Sequence, residues 1–410
     1  MTTLTDPPKE SFKLSMLIYD TRYRSMTIQI IALIGFLLAI GWLISNTMQN
    51  LADLGKEPSF RFLGEPAGYD ISQRLIEYNN QMTHWRAAIV GLLNTLLVAV
   101  LGCIAATILG VIIGVLRLSK NWVVAKIMSV YVEMFRNVPV LLWIVLVMAI
   151  LIETLPQPRD FRGADPEATM KLFDSVALTN RGFYFPALQF NTQIGTVGIT
   201  WLVILAILAG SIFAMRVVSK RATRIQEATG DRPTTWYLQL AILILPLAIL
   251  FTILGAHFEY PALKGFNFQG GIYMRNSLIA LWLALSLYTA AFIAEIVRAG
   301  ILAISSGQTE AAAALGLRSN RIMSLVVLPQ ALRVIIPPLI SNYLNLTKNS
   351  SLAIAVGYMD ITGTLGGITL NQTGRELECL VLLMGIYLAI SLSISAVMNW
   401  YNNSVALVER

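Results

Sequence analysis

Residues 87–116 read AAIVGLLNTLLVAVLGCIAATILGVIIGVL, thirty residues without a charge between Arg86 and Arg117. A helix needs roughly 20 apolar residues to cross about 30 Å of hydrocarbon, so this run alone is long enough to span a bilayer. Cys379–Val408 is a second uncharged run of thirty. Over all 410 residues the apolar fraction is 56% and the charged fraction 13%, with a mean hydropathy of +0.66. These values lie far from soluble-domain averages, and a chain so apolar could not keep its surface wet as a globule. The fold class is therefore all-α and integral to the membrane.

Reading the other apolar runs in the same way predicts eight spans: Ile28–Ser45, Ala88–Leu116, Pro139–Ile152, Ile194–Met215, Trp236–Leu254, Asn276–Val297, Val334–Val356 and Leu380–Tyr401. The third is short as drawn and should extend into its polar neighbours. The first has a long polar leader, and Asn46–Leu51 lacks a small-x-small cleavage pattern, so it reads as an uncleaved anchor. Gly110 and Gly114 form a GxxxG in the second span, weak evidence by itself for a helix contact. The sequence shows no low-complexity tract and no internal repeat.

Lysine and arginine set the orientation. With an even number of spans both termini share a side, and the loops on that side carry 18 basic residues against 11 on the other, Lys348 within a helix completing the 30. The short loop Arg216–Arg232, with five, weighs most. Both termini are expected on the cytoplasmic side of the membrane. The basic isoelectric point follows from this topology and does not indicate a nucleic-acid surface. Two loops on the outer side are long, Thr47–Ala87 and Glu153–Gln193. Their aromatics, Tyr69, Tyr78 and Trp85 in one and Phe183, Tyr184 and Phe185 in the other, suit either the membrane interface or packing within the loops.

Cys103 and Cys379 lie in apolar runs, where a thiol acts as a small apolar side chain, and neither a disulfide framework nor a zinc site is indicated. His84 and His257, the only histidines, read as polar loop residues. No GxxxxGK[ST] phosphate loop is present, Gly55-Lys56-Glu57 failing in spacing and hydroxyl, and HExxH and GxSxG are absent too. Nothing points to an enzyme, a metal or a cofactor.

The most informative polar stretch joins the sixth and seventh spans: Gly307-Gln308-Thr309-Glu310-Ala311-Ala312-Ala313-Ala314-Leu315-Gly316-Leu317, running on to Leu328-Pro329-Gln330-Ala331-Leu332-Arg333. Four alanines after a glutamate make a strong local helix. Glu310 suits its positive end, and Gly316 can take the left-handed conformation that ends it. A second apolar segment, Ile322–Val327, leads to Pro329 and the next span. The product is a helix–turn–helix with sides small enough for another protein to pack against closely.

This string resembles the EAA loop of ABC importer permeases. The resemblance implies a coupling helix in loop 307–330 that sits in a cleft of a separate ATPase subunit, with Gly307, Gln308, Glu310, Ala311, Ala312, Gly316, Leu317 and Pro329 as the coupling residues. Ala290–Arg298, Thr347-Lys348-Asn349-Ser350-Ser351-Leu352, Phe135-Arg136-Asn137-Val138-Pro139 and Asn94-Thr95 resemble the polar-amino-acid, histidine-permease-like branch. The likeness covers the second and third spans and Asn276 to the C-terminus. The implied organisation is a five-helix permease core in two parts, 88–152 and 276–410. A region 1–87 with tail, anchor helix and periplasmic loop precedes it, and residues 153–275 insert two extra spans. This long layout is similar to permeases of general L-amino-acid, Aap/Bzt-type importers. Further partners so implied are a second permease, as hetero- or homodimer, a periplasmic amino-acid-binding protein and membrane lipid.

Two side-chain groups complete the reading. Glu295 and Arg298, three apart on one helix face, are expected as a structural ion pair. Ser286, Tyr288 and Thr289 in the sixth span, with Asn345, Thr347 and Lys348 in the seventh, are candidates for the substrate path. Lys348, 14 residues or about 21 Å from Val334, lies too deep to snorkel easily. It could meet a substrate carboxylate, cap carbonyls at a helix break, or pair with the partner permease. The competing function is an ion-coupled secondary amino-acid transporter. Such folds show paired broken helices; Pro337-Pro338 is expected to break the start of the seventh span, but the first half offers no counterpart. A purely structural membrane subunit is the third reading.

Overall fold

The computed structural model describes residues 16–163 and 165–405. The tail ahead of residue 16, with Lys9 and Lys13, and Arg410 lie outside them. Among the described residues, eight helical segments are long and apolar enough to cross a membrane.

The anchor helix α1 (Thr21–Asp53) comes first. After a loop, α2 (His84–Leu116) starts where the Thr83 hydroxyl accepts the Arg86 backbone N–H at 3.2 Å, a side-chain N-cap. Asn121 caps α3 (Trp122–Asn137), an amphipathic helix that hydropathy did not mark as a separate element. Pro139 divides α3 from α4 (Val140–Thr154), because the residue before a proline is pushed to extended backbone, as Val138 is. The third span does extend past Ile152, as its short length required.

In the insertion stand α5 (Val197–Thr229) and α6 (Trp236–Leu254). The expected loop Arg216–Arg232 is instead mostly helix. Residues 216–229 contain no glycine or proline, and α5 runs on until Gly230, at φ +81°, stops it. Seven short strands flank this hairpin: β1 (Ala177–Thr179), β2 (Gly182–Phe185), β3 (Ala187–Phe190), β4 (Ala256–Glu259), β5 (Ala262–Lys264), β6 (Asn267–Gln269) and β7 (Ile272–Arg275). All pairs are antiparallel, in the sheets β1-β2-β7, β3-β4 and β5-β6. The two ends of the insertion are thereby stitched together, Gly182 opposite Arg275 and Ala187 opposite Glu259.

The core closes with α7 (Asn276–Leu302), α8 (Ser306–Ala314), α9 (Leu328–Asn349) and α10 (Glu376–Val405). Helix α7 is the axis of the bundle: 72% of its apolar window is buried, against at most 33% in any other span. In a bilayer, helices associate by van der Waals fit, which small residues permit. A Cβ on Gly110 would lie 2.6 Å from Ile293, and one on Gly114 would lie 2.7 Å from the Ala294 carbonyl oxygen. The GxxxG of the second span is therefore where α2 meets α7. Val98, Ala106, Ile144, Leu281, Leu285, Ile293 and Leu346 form the main core around that seam.

Three expectations are corrected. Pro337 and Pro338 do not break the seventh span; they lie inside α9, where Asn342 Nδ2 donates to the Pro338 carbonyl at 2.9 Å. Each proline lacks the N–H that would bond four residues back, to Arg333 and Val334, and the helix carries on through both. That span also begins before Val334, with a turn at Ser319–Ile322 and a π-helical turn at Met323–Val327 leading into Leu328. Lys348 consequently stands 20 residues, or roughly 30 Å, from the start of α9. Finally, His84 is no loop residue. It opens α2, is buried between Phe62 and Tyr69, and its Nδ1 lies 3.1 Å from Thr369 Oγ1. The loop aromatics divide likewise: Tyr69, Tyr78 and Tyr184 pack inside their loops, while Trp85 is exposed.

Candidate functional site

The coupling segment forms a nine-residue helix, α8, one connection beyond the end of α7. Leu317 N–H bonds to the Ala312 carbonyl at 3.3 Å and Gly316 N–H to that of Ala313 at 2.9 Å. This is the paired bond pattern of a Schellman cap, and Gly316 takes the left-handed φ of +79° that it needs. Ala312 alone of the four alanines turns inward, onto Ile322 and Val327. Gly307, Gln308, Glu310, Ala311, Ala313 and Ala314 are exposed, and Leu315 projects with 82% of its surface free. A short helix with a bare, small-sided face and one protruding leucine suits a protein groove better than water or lipid. Leu317 is also exposed, and half-buried Pro329 sits in the first turn of α9. Nearby Arg333 keeps Nε and Nη2 buried without a hydrogen-bond partner among the described residues.

Next to this segment is a charge cluster that only part of the sequence signalled. Glu295 lies 3.4 Å from Arg298, the i,i+3 partner expected on α7. It also accepts from Arg117 at the end of α2 and lies 3.7 Å from Arg136 of α3. The Arg136 guanidinium rests 5.5 Å from the centre of the Phe292 ring, a cation–π placement. One carboxylate thus holds three helix ends together.

At the opposite end of the core, α2 clamps the segment that joins α9 to α10. Asn94 Nδ2 donates to the carbonyls of Gln73 at 2.7 Å and Met359 at 2.8 Å. Thr95 Oγ1 accepts Ile361 N–H at 3.0 Å, and the Tyr358 hydroxyl donates to the Asn94 carbonyl at 3.1 Å. Between these bonds sits Asp360, fully buried, accepting from Gly363 N–H at 2.8 Å and the Tyr387 hydroxyl at 3.2 Å. Burial pushes its carboxyl up to about 6, only partly offset by those hydrogen bonds. Asp360 went unread in the sequence because no motif marks it.

The candidate path residues fall into two groups. On α7, Ser286 and Thr289 are buried, and the half-buried Tyr288 ring packs 5.0 Å from Phe292. On α9, Thr347 is buried and bonded to the Tyr343 carbonyl, whereas Asn345 and Lys348 are exposed. No hydrogen bond or ion pair between the two groups occurs among the described residues. Asn345 and Lys348 instead continue a stripe of exposed positions: Val334, Pro338, Ser341, Asn345, Lys348. Steps of three and four place these on one helix face.

A multi-helix membrane fold with an exposed helix–turn–helix between its sixth and seventh spans is the architecture of a transport permease, and comparison with known proteins bears this out. The family of binding-protein-dependent transport system inner membrane components matches residues 233–406. The chain is 60% identical to the glutamate/glutamine/aspartate/asparagine transport system permease protein BztB of Rhodobacter capsulatus, over 100% of both chains. It is 45% identical to the general L-amino acid transport system permease protein AapQ of Rhizobium johnstonii, over 98% of this chain and 96% of that one. To the putative amino-acid ABC transporter permease protein YhdX of Escherichia coli K12 it is 43% identical, over 98% and 99%. The chain belongs to the family of amino-acid ABC importer permeases: a multi-pass inner-membrane subunit and not an enzyme. Membership implies an ATPase subunit, a binding protein and a second permease.

Proposed function

We propose that this subunit forms one half of an ATP-driven path for amino acids, of the acidic and amide kind named for the Rhodobacter relative. Helix α8 enters a cleft of the ATPase, and Gly307, Gln308, Glu310, Ala311, Ala312, Gly316, Leu317 and Pro329 make or support that joint. The observation that carries this reading is the free face of α8, rigidly capped at Gly316 and set one short connection from the most buried helix of the bundle. Movement at α8 therefore reaches the core directly. The side bearing α8 is the cytoplasmic one, which puts both termini there and the β-sheets outside, in line with the lysine and arginine excess.

The stripe Ser341–Asn345–Lys348 on α9 faces the second permease across the path. A polar, exposed helix face at membrane depth is costly against lipid, and a water-filled seam removes that cost. Buried Ser286 and Thr289 support α7 from within instead of meeting substrate, and Glu295 with Arg298 is structural. Uptake of labelled glutamate into proteoliposomes holding both permeases, the ATPase and the binding protein tests the whole reading. Uptake should need internal ATP and survive dissipation of ion gradients by ionophores. Uptake that ionophores abolish and ATP does not restore would establish the ion-coupled alternative.

A further inference from the structure

The anchor helix stands apart from the bundle it belongs to. Every residue of α1 from Ile28 to Asn50 is exposed, and Leu51 is the first to be partly covered. Just beyond, the chain is pinned. Arg375 Nη1 donates to the Glu57 carbonyl at 2.6 Å and to Glu378 at 3.2 Å, and buried Glu378 accepts Ser59 N–H at 3.0 Å. The end of α1 and the start of α10 therefore meet at one fixed point, beyond which residues 28–50 of α1 are exposed.

At this junction lies a cavity of about 450 Å³ with an almost wholly apolar wall: Leu51 from α1, and Leu377, Leu380, Val381 and Met384 from α10. Lys56 and Glu376 stand at its rim, beside Arg375 and Glu378, which are paired with each other. Lys56 and Glu376 are both exposed; the Lys56 backbone N–H bonds to the Leu51 carbonyl at 2.8 Å, while its ammonium has no ion pair or hydrogen bond among the described residues. Two spans change from helix to loop here, so the rim lies at the membrane boundary and the wall inside the hydrocarbon. Such a wedge between diverging helices holds no water, which would need polar partners.

We propose that this wedge is a binding site for one phospholipid. An acyl chain lies along Leu51, Leu380 and Met384, and the phosphate sits on the ammonium of Lys56, as in other basic pockets between membrane helices. Glu376, next to it, offers a carboxylate to a headgroup ammonium and repels a second anionic group. The site therefore selects a zwitterionic aminophospholipid over phosphatidylglycerol. The lipid fills the gap that the fold leaves between the anchor and α10, and so fixes the anchor's angle.

Native mass spectrometry of the detergent-purified full-length chain, delipidated and titrated with phosphatidylethanolamine or phosphatidylglycerol, tests this. One phosphatidylethanolamine per chain should be retained in preference to phosphatidylglycerol. Lys56→Gln should weaken retention roughly fivefold, and Lys56→Arg should preserve it. Met384→Trp, which fills the wedge, should abolish it. Both positions are on the surface, so lipid-free thermal unfolding should match that of the parent protein, and the loss is then read as lost binding. Equal retention by the parent, Lys56→Gln and Met384→Trp would overturn the site, and indifference to headgroup would overturn its selectivity.

Discussion

Glu295, on α7, accepts a hydrogen bond from Arg117, whose own side chain is only 9% exposed at the end of α2. The two residues are 178 positions apart in sequence. Their contact ties the glycine-lined seam of α2 and α7 shut at the end that leads to the coupling helix. Arg136 and Arg298 add positive charge to the same carboxylate, so the three guanidinium groups share Glu295 as their one ion-pair partner among the described residues.

Removing that carboxylate should leave three guanidinium groups facing one another. Glu295→Gln is expected to destabilise the protein by about 1–3 kcal/mol, below the value for a fully buried pair because the site is partly open to solvent. Arg298→Gln, whose partner contact is longer and more exposed, should cost under about 1 kcal/mol, near the surface-pair range. Arg117→Gln should fall near the Glu295 value. Thermal unfolding of the three purified variants checks this ranking. If Glu295→Gln keeps full stability yet loses substrate-stimulated ATPase, the carboxylate acts in transport directly.

Gly316 separates coupling from folding. Its φ of +79° penalises a β-branched side chain by about 1–2 kcal/mol, but a Cβ there would meet nothing within 4 Å in this subunit. Gly316→Val should therefore reach the membrane in near-normal amounts while uptake falls about tenfold or more, equivalent to some 1.4 kcal/mol of lost docking. Gly316→Asn, able to adopt the same backbone, should keep most of the activity. Abundance by immunoblot and ATP-dependent uptake must be measured together. Normal uptake by the valine variant would remove the coupling role.

The spans were legible because hydrocarbon demands long uncharged runs, and that demand shows in composition alone. The turn at Gly316 was legible too, since a left-handed cap asks for glycine after a helix-forming run. The sheets were not. Each strand is three or four residues long, and β2 pairs with β7 across the whole α5–α6 hairpin. His84 misled because a polar side chain outside an apolar run reads as loop. What buries it is Tyr69 in a loop and Thr369, 285 residues away. Arg117 and Arg136 were invisible as partners of Glu295 for the same reason: nothing in local spacing relates the end of α2 to the last turns of α7.

Asp360 should make stability depend on pH. Its carboxyl titrates near 6 in the folded chain against 3.8 when unfolded. The folded state therefore favours the protonated acid. That contribution is complete below about pH 3.8, is lost as pH rises through 6, and amounts to roughly 3 kcal/mol. Asp360→Asn keeps an acceptor for Gly363 and Tyr387 without the charge. The stability difference between the asparagine variant and the parent should thus widen between pH 5 and pH 7.5 and narrow below. A difference that stays constant across this range would show that Asp360 does not titrate there.

Lys348 offers the sharpest test of the path. It is exposed in the last turn of α9, in register with Asn345 and Ser341, and has no carboxylate partner among the described residues. An ammonium so placed within a span requires water, a substrate anion or a partner's carboxylate. These three differ in what they predict for substitution. If Lys348 meets the substrate carboxylate as a point charge, Lys348→Met should raise the half-saturating substrate concentration about tenfold in assays that bypass the binding protein. Lys348→Arg, with its wider planar group, should raise it less. If it pairs with the second permease, Lys348→Met should instead reduce recovery of the two permeases as a complex, with substrate dependence unchanged in whatever complex remains. Unchanged substrate dependence and unchanged assembly in both variants, at normal expression, would leave Lys348 merely solvated and remove it from the path.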